Sequence, residues 1–282
     1  MSFFIPFIIG SILSFGFFFG AKSIMVKAAS FFFTITLLIA AMFSLVTDNV
    51  EARIWNTFKK NNLLNSEEKT KNEAIKIVKI KDQVLLNAPV FKQYPELPRG
   101  CEVTALAMLL QYKGINVDKM ELAEKVKKDA TPLVNKNGSV FWGNPNDGFI
   151  GNMYTKSEPG YGVYHKPIKQ LAEQYLPGQV IDLTGKGFSE LETYLSSGVP
   201  VWVITNTTFR KLPESAIETW ETPKGKVKIT YKEHAVIITG YDQQNIYFND
   251  PISGTKNMAI SKQDFLAAWQ QMGSQAITYI NK

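Results

Sequence analysis

Apolar positions run almost unbroken through the first part of the chain and then split into short periodic clusters. FFIPFIIGSILSFGFFFG (residues 3–20) and AASFFFTITLLIAAMFSLVT (residues 28–47) carry no charged residue. A membrane-spanning helix needs roughly 20 consecutive apolar residues, so the two stretches are expected to cross as a hairpin, or the second alone to span, since Pro6, Gly10 and Gly16 weaken the first. The loop between them, AKSIMVK, holds Lys22 and Lys27, while Asp48 and Glu51 follow the second stretch. Short Lys-bearing loops stay in the cytoplasm, which predicts that everything after residue 47 lies outside. A cleaved signal peptide is the competing expectation, and the missing basic segment ahead of residue 3 argues against it.

Residues 48–83 are rich in charges of both signs, the composition of a stalk. Within them IKIVKIKDQVLL alternates in part and reads as the start of a strand. From residue 84 the pattern first has a helical period. Val103, Leu106, Ala107 and Leu110 fall at i, i+3, i+4 and i+7 over 101–113. Asp118 with Glu121 predicts a capped helix over 119–128. HKPIKQLAEQY from 165 and FSELETYLSSG at 188–198 read as two more. Strand patterns follow: PVWVIT at 200–205, KVKITY at 226–231, then HAVIITGYD at 234–242 and NIYFND at 245–250 as a hairpin turning at Gln243-Gln244. Helices first and antiparallel strands second predict an α+β domain over 84–282. Residues 142–165, rich in Gly, Pro, Asn and aromatics, are expected to form a long loop, functional or merely structural.

Composition narrows the picture. The chain has 282 residues, 45% of them apolar and 20% charged, enough for a full core. The net charge of +6 suits an anionic partner such as lipid headgroups or a polyanionic envelope, and equally an ordinary solubilising surface. No Lys/Arg block is interleaved with stacking aromatics, so nucleic acid is not expected. A single cysteine excludes an intrachain disulfide. With two histidines far apart, His165 and His234, no zinc site is expected. Phosphate-cradling glycine motifs are missing too, so no cofactor is expected.

Cys101, the lone thiol, follows Pro-Arg-Gly and opens the first helix. A helix N-terminus favours negative charge and is expected to ease ionisation of the thiol. Gly100 would let the backbone turn just before it. The same features suit a small residue filling a gap under a helix. His234 opens an apolar strand and lies downstream of Cys101 by a separation within the roughly 130–150 residues of papain-type pairs. Asp250 ends the partner strand, where a carboxylate can orient the imidazole; Glu233 and Asp242 compete for that role. Gln93, ahead of the helix, can join the Cys101 N–H in an oxyanion hole. Trp142 and Tyr161 are expected to line the substrate cleft.

PELPRGCEVTALAMLL, WGNP, PGYGVYH, EHAVIITGYD and NDP, taken together, resemble the C39-like cysteine peptidases of bacteria over about residues 84–282. The resemblance implies a papain-like fold with Cys101 as nucleophile, His234 as base, Asp250 as orienter and Gln93 in the oxyanion hole. Two departures stand out. The chain lacks the nucleotide-binding motif of the peptide-exporting relatives, so their leader-peptide substrate does not carry over. Glu102 occupies a position where many relatives have glycine, although a stand-alone subgroup is similar. The expected function is thiol-dependent hydrolysis of peptide bonds by a membrane-anchored bacterial enzyme facing out of the cell. Its expected partners are a peptide or protein substrate and the membrane. Amide hydrolysis or transfer on peptidoglycan stem peptides, and an inactive surface binding module, are the alternatives.

Overall fold

A computed structural model of the chain describes residues 24, 31–40, 42 and 79–281. The chain divides into two units, Met1–Ile77 and Val78–Lys282. In the first, residues 31–40 are helical, and Thr36 Oγ1 donates to the Phe32 carbonyl one turn earlier (2.9 Å). The expected span 3–20 lies outside the described residues, and 28–47 is described only at 31–40 and 42. No helix among the described residues is long and apolar enough to cross a membrane.

The second unit begins with β1 (Val84–Leu85), α1 (Cys101–Tyr112), α2 (Lys119–Lys125) and four short strands, β2 (Lys128–Asp129), β3 (Val134–Lys136), β4 (Ser139–Phe141) and β5 (Phe149–Ile150). Then come α3 (His165–Tyr175), β6 (Val180–Asp182), α4 (Phe188–Ser196), β7 (Val201–Asn206), β8 (Glu218–Thr222) and β9 (Gly225–Ile229). It closes with β10 (Glu233–Tyr241), β11 (Asn245–Asp250), β12 (Thr255–Ser261), α5 (Lys262–Gln271) and β13 (Ala276–Tyr279). The main sheet runs β12-β11-β10-β7-β13-β6, with β1 also paired to β10, and every pairing is antiparallel. This is an α+β architecture.

Alternation along the two central strands explains the layers. Trp202, Ile204, Ala235 and Ile237 point to one face, where they pack with Leu106, Leu110, Leu122 and Ile168 of α1, α2 and α3. Val201, Val203, Val236 and Ile238 point to the other, where Leu191, Leu195, Phe265 and Trp269 of α4 and α5 cover them. A strand buried on both faces reads as a continuous apolar run, which is why VWVITN and HAVIITGY look as they do. α1 is buried from Cys101 through Leu110 with no polar face, so the stripe visible in its sequence is only the part that a four-residue period marks.

Several elements differ from the expectation. α2 stops at Lys125, because Val126 turns out of the helix at ψ 131° and leads into β2. Its start is as predicted: Asp118 accepts from the Met120 and Glu121 amides (2.7 and 3.0 Å). KVKITY does not join the main sheet; β9 pairs with β8 in a separate four-stranded sheet with β3 and β4. α5 interrupts the run of C-terminal strands. Residues ahead of β1 already belong to the fold, since Tyr241 donates to the Lys81 carbonyl (2.7 Å) and the Lys81 amide donates to Ser196 Oγ (3.1 Å).

Candidate active site

Cys101 sits at the first position of α1, where a helix leaves its N–H groups without intrahelical acceptors. The turn that delivers it is tightly held. Gln93 Nε2 donates to the carbonyls of Leu97 and Pro98 (3.1 Å each), and Thr104 Oγ1 donates to the Gly100 carbonyl (2.7 Å). Gly100 has φ −120°, which any residue adopts; glycine is needed because a Cβ there would come within 2.5 Å of Leu97 Cβ. Arg99 ties the same turn to the following loop, donating through Nη1 to the carbonyls of Asn152 and Thr155.

The second contribution comes from the hairpin. His234 is the second residue of β10 and Asp250 the last of β11, and the pairing of Ile237 with Asn249 brings the strand ends together. His234 Nε2 and Asp250 Oδ1 are 2.7 Å apart, both groups buried. Asp250 is fully occupied: Ile252 N donates to Oδ1 (3.0 Å), and Ser253 N and Oγ donate to Oδ2 (3.1 and 2.6 Å). Burial works against its charge, yet the His234 and Ser253 bonds hold its carboxyl well below the usual carboxylate range. His234 Nδ1, also buried, has no hydrogen-bond partner. Of the rival orienters, Asp242 is spent on its own turn, accepting from Gln244 N, Asn245 N and the Tyr247 hydroxyl (2.8, 2.6 and 2.7 Å), which lower it to about 2. Glu233 faces elsewhere, as described below.

Cys101, His234, Gln93, Tyr161, Tyr231 and Glu233 are among the residues lining one cleft of about 300 Å³. A larger cavity of about 460 Å³ holds the second histidine, His165, bonded through Nδ1 to Gln275 Oε1 (3.0 Å), and contains no thiol. Tyr161 lines the cleft with Cys101, its hydroxyl 3.0 Å from that of Tyr164 and its ring edge-on to Tyr231. Trp142 does not line the cleft. Its ring packs on Trp220 (centroids 5.4 Å apart) in a small core of its own, buried like any structural tryptophan. Gln93 is in the cleft wall, but in the resting structure its amide hydrogens serve the backbone turn, while its Oε1 is buried without a partner.

The electrostatics around the thiol reverse the expectation of easy ionisation. Cys101 Sγ donates to Glu102 Oε2 (3.3 Å), and the acidic atoms of Cys101, Glu102 and Glu233 all lie within 4.8 Å of one another. Two carboxyls and one thiol fall short of the four N/S ligands that a structural zinc takes. Burial, then the neighbouring Glu102 and Glu233, push the Cys101 thiol well above its ordinary value. Burial also raises Glu102 to about 7, and burial with Glu102 beside it raises Glu233. The favourable field of one helix N-terminus, worth about 0.3–1 kcal/mol at exposed sites, is outweighed by two adjacent acids in a dry pocket.

The pair is built in. Glu102 Oε1 accepts from the Val163 amide (2.7 Å), and Trp202 Nε1 donates to the Glu102 carbonyl (3.0 Å). A Cβ at Gly162 would come within 2.5 Å of Glu102 Oε1 and 2.9 Å of Glu233 Oε2, so any side chain there would displace both carboxyls. Glu102 was visible in the sequence as an acid beside the nucleophile. Glu233 carries a signal only in retrospect: an acid opening a strand buried on both faces projects opposite to its neighbour His234 and meets α1.

Comparison with known proteins gives the family. Residues 85–277 match the family model described as the Peptidase_C39 like family. An uncharacterized protein of Bacillus subtilis (strain 168), YvpB, is 49% identical over 183 residues, covering 65% of this chain and 70% of that protein. A crystal structure of a candidate C39-like peptidase from Bacillus anthracis is 51% identical and superposes with a TM-score of 0.66, covering 72% of this chain and 99% of its own. The matched span runs from β1 into β13 and so carries the thiol helix, the histidine hairpin and the acid pair within one unit: the chain belongs to the Peptidase_C39 like family.

Proposed function

We propose that this protein is a cysteine peptidase that cuts peptide bonds on the outer side of the membrane to which its N-terminal segments tether it. The observation that carries the reading is the 2.7 Å His234–Asp250 pair opening on the same cleft as the helix-borne Cys101, an arrangement of papain type. Asp250 accepts from Nε2–H and so leaves Nδ1 as the base. The Cys101 proton passes to Nδ1 as sulfur bonds to the carbonyl carbon. The oxyanion lies against the Cys101 N–H and against Gln93, once Gln93 releases one of its two backbone carbonyls. Collapse breaks the C–N bond, His234 protonates the leaving amine, and water hydrolyses the thioester. The uncharged apolar stretches 3–20 and 28–47, with Lys22 and Lys27 between them, support the tether and its orientation.

The test is a cleavage profile of the full-length chain against peptide libraries and purified cell wall, with Cys101→Ala as control. Cut peptides that vanish with Cys101→Ala support the reading. Release of stem-peptide fragments alone would move the activity to peptidoglycan. Rescue of a deletion phenotype by Cys101→Ala would make the protein a binding module. Protease protection in intact cells reads the orientation.

A further inference from the structure

The resting thiol is bonded to an acid and not to the base. Cys101 Sγ–H points at Glu102 Oε2, while His234 Nδ1 stands buried and without a partner in the same cleft wall. Glu102 is fixed from two sides, by Val163 N on its carboxyl and by Trp202 Nε1 on its carbonyl. Glu233 reaches in from β10, its Oε1 sealed from solvent with nothing to bond. Gly162 admits both carboxyls by having no side chain.

We propose that Glu102 and Glu233 are positioning residues that share one proton and hold the Cys101 thiol protonated at rest, so that the nucleophile forms only during attack. The inference rests on the peptidase reading and concerns when its thiol ionises. Two carboxylates this close in a mostly buried pocket do not both stay charged, and the one negative charge they keep opposes a second one on sulfur. The other groups facing the pair leave that balance intact. α1 presents only Cys101 besides Glu102, and β10 presents His234, which is committed to Asp250 of β11. The 159–165 segment and the strand entry present the phenols of Tyr161, Tyr164 and Tyr231. Two cations share the cleft wall: Arg99 spends its Nη1 on backbone carbonyls, and Lys156 Nζ lies over the Tyr94 ring, 5.5 Å from its centre, with no ion pair to either acid. Among the described residues, no ion pair to Lys or Arg is made by either carboxylate. Attack then proceeds as one coupled step. The Cys101 side chain leaves Glu102 for the His234 Nδ1 that shares its cleft, its proton transfers there, and the freed electron pair forms the C–S bond.

The experiment is the pH profile of iodoacetamide alkylation of the single thiol in the full-length chain, comparing wild type with Glu102→Gln and Glu233→Gln. The wild-type midpoint is expected above the roughly 8.5 of a free thiol. Each Gln variant is expected to lower the midpoint by at least one unit, about tenfold faster alkylation at pH 7. A role confined to packing would change stability without moving the midpoint. A wild-type midpoint at or below that of a free thiol, or variants whose midpoints coincide with it, overturns the proposal. Should Glu102→Gln fail to fold, Glu233→Gln decides alone, since its unpartnered Oε1 has no bond to lose. Alkylation needs no turnover, so a chain with the expected profile that cuts nothing keeps this inference and loses the peptidase reading.

Discussion

The two sides of the His234 ring are built on different principles. At Nε2 the imidazole meets a finished structure, in which Asp250 accepts from His234, Ile252 and Ser253 and is held charged. At Nδ1 there is no bond; the cleft it shares with Cys101 holds a thiol donating to Glu102, with Glu233 close to both acid and thiol. Satisfied polar networks fix geometry, while unpartnered buried groups mark where chemistry is poised. The contrast assigns orientation of the ring to one side and proton traffic to the other.

The strongest break is on the thiol side: Cys101→Ala should reduce peptide cleavage to background, read as product formed per hour. Asp250→Asn is next. It keeps the shape but frees the ring tautomer, and kcat should fall on the order of 10⁴-fold, measured on the same peptides. Gln93→Ala should cost on the order of 10²–10³ in kcat, and a fall in kcat with KM unchanged would place its amide at the oxyanion and not only in the turn.

The contrast sharpens in the pH dependence of stability, where the two sides have opposite signs. Asp250 is depressed in the fold, so its contribution is present above about pH 4 and lost as pH falls below that. Glu102 is raised from 4.5 to about 7, so the fold holds its proton more tightly than the unfolded chain does. Its contribution is complete below pH 4.5 and is lost as pH rises from there to about 7. Thermal melts should show Asp250→Asn flattening the acid limb and Glu102→Gln flattening the decline between pH 4.5 and 7. The smallest effect is expected at Asp242→Asn, which touches only the 242–245 turn and Tyr247; kcat should stay within about twofold of wild type.

The same contrast separates what the sequence made legible. α1, β10 and β11 are long, regularly patterned segments, and the residues at their ends, Cys101, His234 and Asp250, could be read from one strand or helix at a time. Gln93 was read as an oxyanion donor and lines the cleft, but its bonds to Leu97 and Pro98 depend on a turn that no periodicity announces. Trp142 looked like a cleft residue because it sits in a Gly/Pro-rich loop; its partner Trp220 lies far along the chain. The acid pair was beyond reach for the same reason, since Glu102 and Glu233 meet only when α1 packs on β10. Strands of two or three residues, β2 to β6, are too short to show a period at all.

Cys101 is the only cysteine in the chain. If an oxidant converts it to a sulfenic acid, no second thiol in the same molecule can condense with it and return it to the reduced state. Recovery then depends on an external reductant slim enough to reach a residue that is only 6% exposed in the wall of its cleft. A dithiothreitol-sized reagent and a protein reductant of thioredoxin bulk should therefore differ sharply in how fast they restore activity.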